Sequence, residues 1–274
     1  MNQLSIERRT QAINCLVEGN SIRSTERMTG IHRDTIMRLM VGVGSACHEF
    51  MQENMKNLDC RRIQVDEIWT YVGKKQRWIT KKDDQNKVGD MWTFVAIDAD
   101  SKLVPTYLVG KRNLATATAF MGDLSKRLSN RVQLSSDAMN AYVEATERAF
   151  GANVDYAQIV KIYEAEEIGP GRYSPPCVVD TERTKIMGRP DPRHVSTSFV
   201  ERQNLTMRMA MRRFTRLTNA FSKKVDNLRA AVALHFAHYN FVRVHKSIGM
   251  TPAMAAGVTK GIWKLEDLVS ITSN

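Results

Sequence analysis

Ile63-Gln64-Val65-Asp66-Glu67-Ile68-Trp69 is an apolar run with two carboxylates at its centre. Its β-branched and aromatic residues predict a strand over 63–72. A carboxylate in apolar surroundings is costly unless it is paired or holds a cation, so an acid at this position is informative. In a regular strand Asp66 and Glu67 point to opposite faces.

Downstream, residues 91–98 and 103–109 read as two further strands, after a polar hairpin loop over 74–90 that carries five lysines. A helix is expected over 114–128. A fourth strand at 132–135 leads to Asp137, followed by a helix over 138–150 and a short strand at 158–162. Periodicity is lost over 163–195, where Gly169-Pro170-Gly171 and Pro175-Pro176 predict an ordered loop or small insertion. Helix returns from about Ser198 past Arg216 and again over 223–244, and Thr251-Pro252 opens a helical tail. Antiparallel strands followed by alternating helices and strands predict an α/β protein.

Upstream of the strand, residues 6–17, 21–27 and 32–41 read as three helices, with Ser21 as an N-cap and Thr29-Gly30-Ile31 as a tight turn. Two helices around a glycine-containing turn fit a helix-turn-helix, which would present Arg33, Thr35 and Arg38 to a major groove. A generic three-helix bundle is the alternative. The expected organisation is a helix-turn-helix with a helical connector over 1–58, a catalytic core over 59–250 and a helical tail over 251–274.

Forty Lys and Arg against 29 Asp and Glu give a net charge of +11, which favours a polyanionic partner. No apolar run reaches membrane-spanning length and no signal peptide is evident, so a membrane partner is not expected. Cys15, Cys47, Cys60 and Cys177 form no CxxC pair, which argues against a zinc ribbon or a disulfide framework. A reduced, cytoplasmic protein is the expectation.

Three carboxylates carry the chemical reading: Asp66 within the strand, Asp137 at the end of the fourth strand, and Glu201 at the start of the long basic helix. Rigid placement of a few carboxylates suits Mg²⁺, which takes hard oxygen ligands and retains waters. Two such ions about 3.5–4 Å apart support phosphodiester chemistry. Each acid also has a plain structural reading. Asp66 could be satisfied by backbone, Asp137 could cap the helix after it, and Ser198-x-x-Glu201 has the spacing of a capping box. Asp98 is the most credible substitute ligand. The segment from Glu201 to Lys246 holds ten basic residues and two acids. Arg202, Arg208, Arg212, Arg213 and Arg216 are the candidate DNA contacts, with Glu201, Arg208 and Arg212 close to one helical face.

Val65-Asp66-Glu67-Ile68-Trp69, Trp92-Thr93-Phe94-Val95-Ala96-Ile97-Asp98, Leu134-Ser135-Ser136-Asp137 and Thr197-Ser198-Phe199-Val200-Glu201-Arg202-Gln203-Asn204 together resemble DDE transposases of the bacterial insertion-sequence-one family. The tail Tyr239-Asn240-Phe241-Val242-Arg243-Val244-His245, then Thr251-Pro252-Ala253, strengthens the likeness. The resemblance implies a ribonuclease-H-like core whose metal-binding triad is Asp66, Asp137 and Glu201, with Arg208 on DNA near the active site. It implies two Mg²⁺ ions, with Mn²⁺ as a substitute, and cleavage and strand transfer of double-stranded DNA at element ends and target. A homodimer or higher homo-oligomer on DNA is expected. Familiar members carry an N-terminal zinc-binding segment, and this chain lacks matching cysteines. The rival readings are a ribonuclease-H-like nuclease without strand transfer and a non-catalytic DNA-binding regulator.

Overall fold

Three helices precede the sheet: α1 (Ile6–Val17), α2 (Ile22–Thr29) and α3 (Arg33–Asn54). The computed structural model describes residues 4–164, 177–216 and 218–273. Ser21 caps α2 as expected, its Oγ accepting the Ser24 N–H at 3.0 Å. Gly30 closes α2 in the left-handed region, at φ 69°, which favours glycine. One difference from the sequence reading is α3, a single helix of 22 residues rather than a short helix and a separate connector. Its buried Ile36, Met40, Val43, Cys47 and Met51 keep helical spacing along the whole length.

The sheet contains β1 (Arg62–Val72), β2 (Gly89–Asp98), β3 (Tyr107–Gly110), β4 (Val132–Asp137), β5 (Val154–Glu164) and β6 (Cys177–Met187). Their order is β3-β2-β1-β4-β5-β6. β2 runs antiparallel to both of its neighbours, β1 and β3, β4 and β5 continue parallel to β1, and β6 returns antiparallel to β5. α4 (Leu114–Arg127) joins β3 to β4, α5 (Asn140–Phe150) joins β4 to β5, and α6 (Ser198–Ala210) packs against β1 and β2. The expected α/β class is seen, a mixed sheet flanked by helices with a helical N-terminal region.

α7 (Val225–Ala237) is buried on nearly every side and ends in a π-turn, His238–Val242. α8 (Pro252–Ala255) and α9 (Leu265–Ser270) close the chain. Gly44 of α3 faces α7 so closely that an added Cβ would lie 2.1 Å from the Ala230 carbonyl oxygen. Ile13, Val17, Met40 and Val43 from the N-terminal helices belong to the same apolar cluster as Val65, Ile68 and Phe94 of the sheet. The core therefore runs without a break from the first helices into the sheet.

Three further boundaries differ from expectation. The third strand starts at Tyr107 rather than near residue 103. The chain before it is held by Asn240, whose side chain accepts the Val104 N–H and donates to the Val104 carbonyl. Part of the expected 163–195 loop is strand β6, paired with β5, while residues 165–176 lie outside the described ones. α6 stops at Ala210 instead of passing Arg216. Met211 adopts an extended conformation, and a 3₁₀ turn, Arg212–Phe214, buries the Phe214 ring.

Candidate metal centre and nucleic-acid face

The site forms where β1 and β4 part. Their parallel register pairs Gln64 with Ser135 and goes no further, so two residues on Asp66 comes level with Asp137. Adjacent strand residues project to opposite faces, and the contacts follow that rule. Asp66 meets α6, where Asn204 donates Nδ2 to Oδ2 at 2.9 Å. Glu67 meets α5, where the Tyr142 hydroxyl donates to Oε2 at 2.9 Å. Arg112 donates Nε to Glu67 Oε1 at 2.5 Å, and its Nη2 lies 4.0 Å from Asp137 Oδ2.

Despite their opposite faces, one carboxyl oxygen each of Asp66, Glu67 and Asp137 lies within 4.8 Å of the other two. The sequence reading set Glu67 apart from this group. Exposure separates their roles: the Glu67 side chain is 2% exposed and that of Asp137 is 43% exposed. Glu67 is already satisfied by Arg112 and Tyr142, whereas Asp137 opens to solvent. Burial, and next the neighbouring Glu67 charge, push the Asp66 carboxyl up to about 7. Asp137 and Glu201 add to the same repulsion.

Glu201 stands in the first turn of α6 and accepts a hydrogen bond from Thr197 Oγ1 at 2.6 Å. Its charge acts on Asp66, but it is not one of the three residues grouped within 4.8 Å. The capping-box reading of Ser198 and Glu201 does not hold. Gln64 of β1 caps α6 instead, its Oε1 accepting the N–H groups of Phe199 at 2.8 Å and Val200 at 3.2 Å. Ser198 Oγ pairs with Ser196 Oγ. Gln64 and Asp66 share a strand face, so the start and middle of α6 are tied to that face two residues apart.

The other acids are engaged elsewhere. Asp98 accepts from the Ser101 N–H and Oγ in a hairpin turn, and Glu144 pairs with Arg148. Asp137 partly fulfils its plain reading, with Oδ1 accepting the Met139 N–H at 3.1 Å just before α5.

Of the basic residues, Arg202, Arg212 and Arg216 are exposed. Arg208 is half-buried, and its Nη1 is buried without a hydrogen-bond partner among the described residues. Burial, with the Arg216 charge second, lowers its proton affinity, while Asp66 opposes that shift. Arg212 does not continue the Glu201–Arg208 face, because α6 ends first. Arg213 departs from its expected role. Its Nε donates to Ser222 Oγ, its carbonyl accepts from Thr70 Oγ1, and burial lowers its guanidinium to about 10. It packs the segment after α6 onto β1. Arg33 and Arg38 are exposed near the start of α3, with Thr35 between them, and Arg33 lines one groove with Arg212 and Arg213. Sequence reasoning missed Gln64 and Asn204. Their only local signal was placement, Gln64 two residues before Asp66 on a strand and Asn204 three after Glu201 on a helix.

No family model and no curated protein matches this chain. Among solved structures it is similar to the Mos1 strand transfer complex, at 14% identity and a TM-score of 0.23, over 56% of this chain and 59% of that one. The Mos1 transposase paired-end complex with left transposon end gives 13% identity and a TM-score of 0.24, over 57% and 60%. The chain thus spans about three fifths of the solved chains it matches. At this level the likeness carries no functional argument. No helix is long and apolar enough to cross a membrane, among the described residues.

Proposed function

We propose that this chain is a DDE-type transposase that cleaves DNA at element ends and joins the released 3′-hydroxyl to target DNA. The observation that supports it is the convergence of Asp66 and Glu67, in the middle of β1, with Asp137 at the end of the adjacent parallel strand β4, with carboxyl oxygens within 4.8 Å. The donor set fits a hard divalent cation. It offers only oxygens, and burial, with the neighbouring Glu67 charge next, already raises the Asp66 carboxyl to about 7. Asp66 and Asp137 are the ligands in this reading, with Glu201 supplied by α6. Glu67 positions Arg112 beside Asp137. A bound pair of Mg²⁺ ions would supply Lewis-acid activation of phosphodiester chemistry.

The residues of the chain do the rest. Gln64 and Asn204 fix α6, and with it Glu201, against β1. Arg208 offers an unpartnered guanidinium edge beside Asp66 to hold a phosphate. Arg202, Arg212 and Arg216 hold the DNA backbone, and Arg33, Thr35 and Arg38 read bases from α3 as part of a helix-turn-helix.

The test is Mg²⁺-dependent cleavage and joining of labelled duplexes taken from the DNA on either side of the coding region. The unmodified chain should release 3′-hydroxyl ends and form joined products. Asp66→Asn should bind the same DNA and do neither, because the amide keeps the shape but loses the charge a cation needs. Undiminished cleavage by Asp66→Asn would refute the role assigned to Asp66. Cleavage without any joined product would leave only the nuclease reading.

A further inference from the structure

An aromatic band runs along the second half of β1, beyond the carboxylates. Trp69 lies directly opposite Trp92 in the β1–β2 ladder. Trp69 and Tyr71 are ring neighbours at 6.0 Å, and Tyr71 meets Phe221 at 4.7 Å with a 30° tilt. All four rings are partly exposed rather than buried in the core. Trp69, Tyr71 and Phe221 line one groove with Lys75 and Arg216, both exposed.

The groove starts close to the site. Trp69 is three positions beyond Asp66 along the strand, about 10 Å at the usual rise. The sheet is open here because β4 has already left β1, and the segment ending at Ser222 takes the vacant side through a bridge to Val72.

Open aromatic faces interleaved with cations are suited to unpaired nucleobases on a phosphate strand. Bases inside a duplex are stacked on each other and offer no face to such rings. We infer that this groove is a binding site for single-stranded DNA next to the scissile position: Trp69, Tyr71 and Phe221 stack splayed bases while Lys75 and Arg216 hold their phosphates. The inference rests on the reading that DNA is the substrate. It adds that the enzyme engages a strand already separated from its complement.

The test uses the full chain without Mg²⁺. One probe is a blunt duplex and the other is the same duplex with a four-nucleotide overhang carrying 2-aminopurine. The overhang should bind about tenfold tighter, and the 2-aminopurine emission should be quenched by stacking. Trp69→Ala should remove most of that preference and leave the blunt duplex unaffected, while Trp69→Phe should retain much of it. Lys75→Gln should reduce the salt dependence of overhang binding. Equal affinity for both probes with unquenched 2-aminopurine would overturn the inference, and that measurement needs no variant to fold. So would a Trp69→Ala chain that loses both probes equally. If Mg²⁺-dependent end cleavage persists in either case, the proposed function stands and only the groove assignment fails. If neither probe binds at all, the DNA reading fails as well.

Discussion

Asn204 donates its side-chain amide to Asp66 at 2.9 Å, joining the middle of α6 to the strand residue at the centre of the acidic cluster. Its Oδ1 is buried without a partner, among the described residues. A neutral donor is a mild restraint: it orients the Asp66 carboxyl without neutralising it, so the repulsion among the acids persists. Together with the Gln64 cap, this contact makes the position of Glu201 a property of the β1–α6 junction.

Gln64→Leu should therefore affect stability and catalysis together. It leaves the Phe199 and Val200 N–H groups without their acceptor, at a cost of about 1–2 kcal/mol. Urea unfolding should show the lower midpoint. End cleavage should fall further than the loss of folded protein explains, because α6 carries Glu201. A destabilised variant with full specific activity would show that the junction does not position the site.

The metal-free protein should lose stability as pH rises from 5 to 8. The folded Asp66 carboxyl sits at about 7, above its ordinary value near 4 in an unfolded chain. Its contribution is fully present below pH ~4 and is lost as pH rises through the folded value. Mg²⁺ should reverse the loss at pH 8, by about 1.4 kcal/mol at tenfold excess over its Kd, and do less at pH 5, where protons compete. A thermal melt series checks this. A Tm independent of both pH and Mg²⁺ would contradict the cluster's assignment.

His235 acts in the opposite sense on the acid side. Burial, with the charges of His238 and Arg243 behind it, lowers its value to about 3. The only hydrogen-bonding neighbour of its ring recorded among the described residues is Gln203, at 3.5 Å. A folded value below the unfolded 6.5 means stability that is present above pH 6.5 and is lost as pH falls toward 3. His235→Gln should flatten the acid limb of a stability-against-pH curve, by roughly 2–4 kcal/mol near pH 3.5. An unchanged acid limb would place the sensitivity elsewhere.

Arg208→Ala should weaken binding similarly for all DNA sequences and lower the salt slope by roughly one phosphate equivalent. It should also reduce cleavage, since the phosphate would be held less firmly beside the carboxylates. Affinity measured over a salt series decides this. An unchanged slope would mean that the unpartnered Nη1 does not meet phosphate.

Arg33 and Arg38 call for point substitution, because α3 is part of the core and its removal would expose the face of α7. The double change Arg33→Ala and Arg38→Ala should reduce binding to element ends more than binding to unrelated DNA. Footprints on both should separate the two effects. An equal loss on each would assign these arginines to the phosphate backbone.

The sequence by itself determined the elements and the kind of site. Alternating β-branched and aromatic residues specified β1 and β2, helical spacing specified α1, α4 and α5, and Ser21 marked the start of α2, because each signal acts over one or two turns or strand residues. The unusual acids in apolar runs, Asp66 and Asp137, were visible for the same reason. Only the tertiary structure decided how they meet. The Gln64–Ser135 register brings Asp66 level with Asp137. The packing of α5 and Arg112 places Glu67 beside them, and the burial of Phe214 ends α6 before Arg212. These are pairings between residues tens to more than a hundred positions apart. No local pattern encodes them, since register and helix ends are fixed by which distant surfaces fit when the core closes.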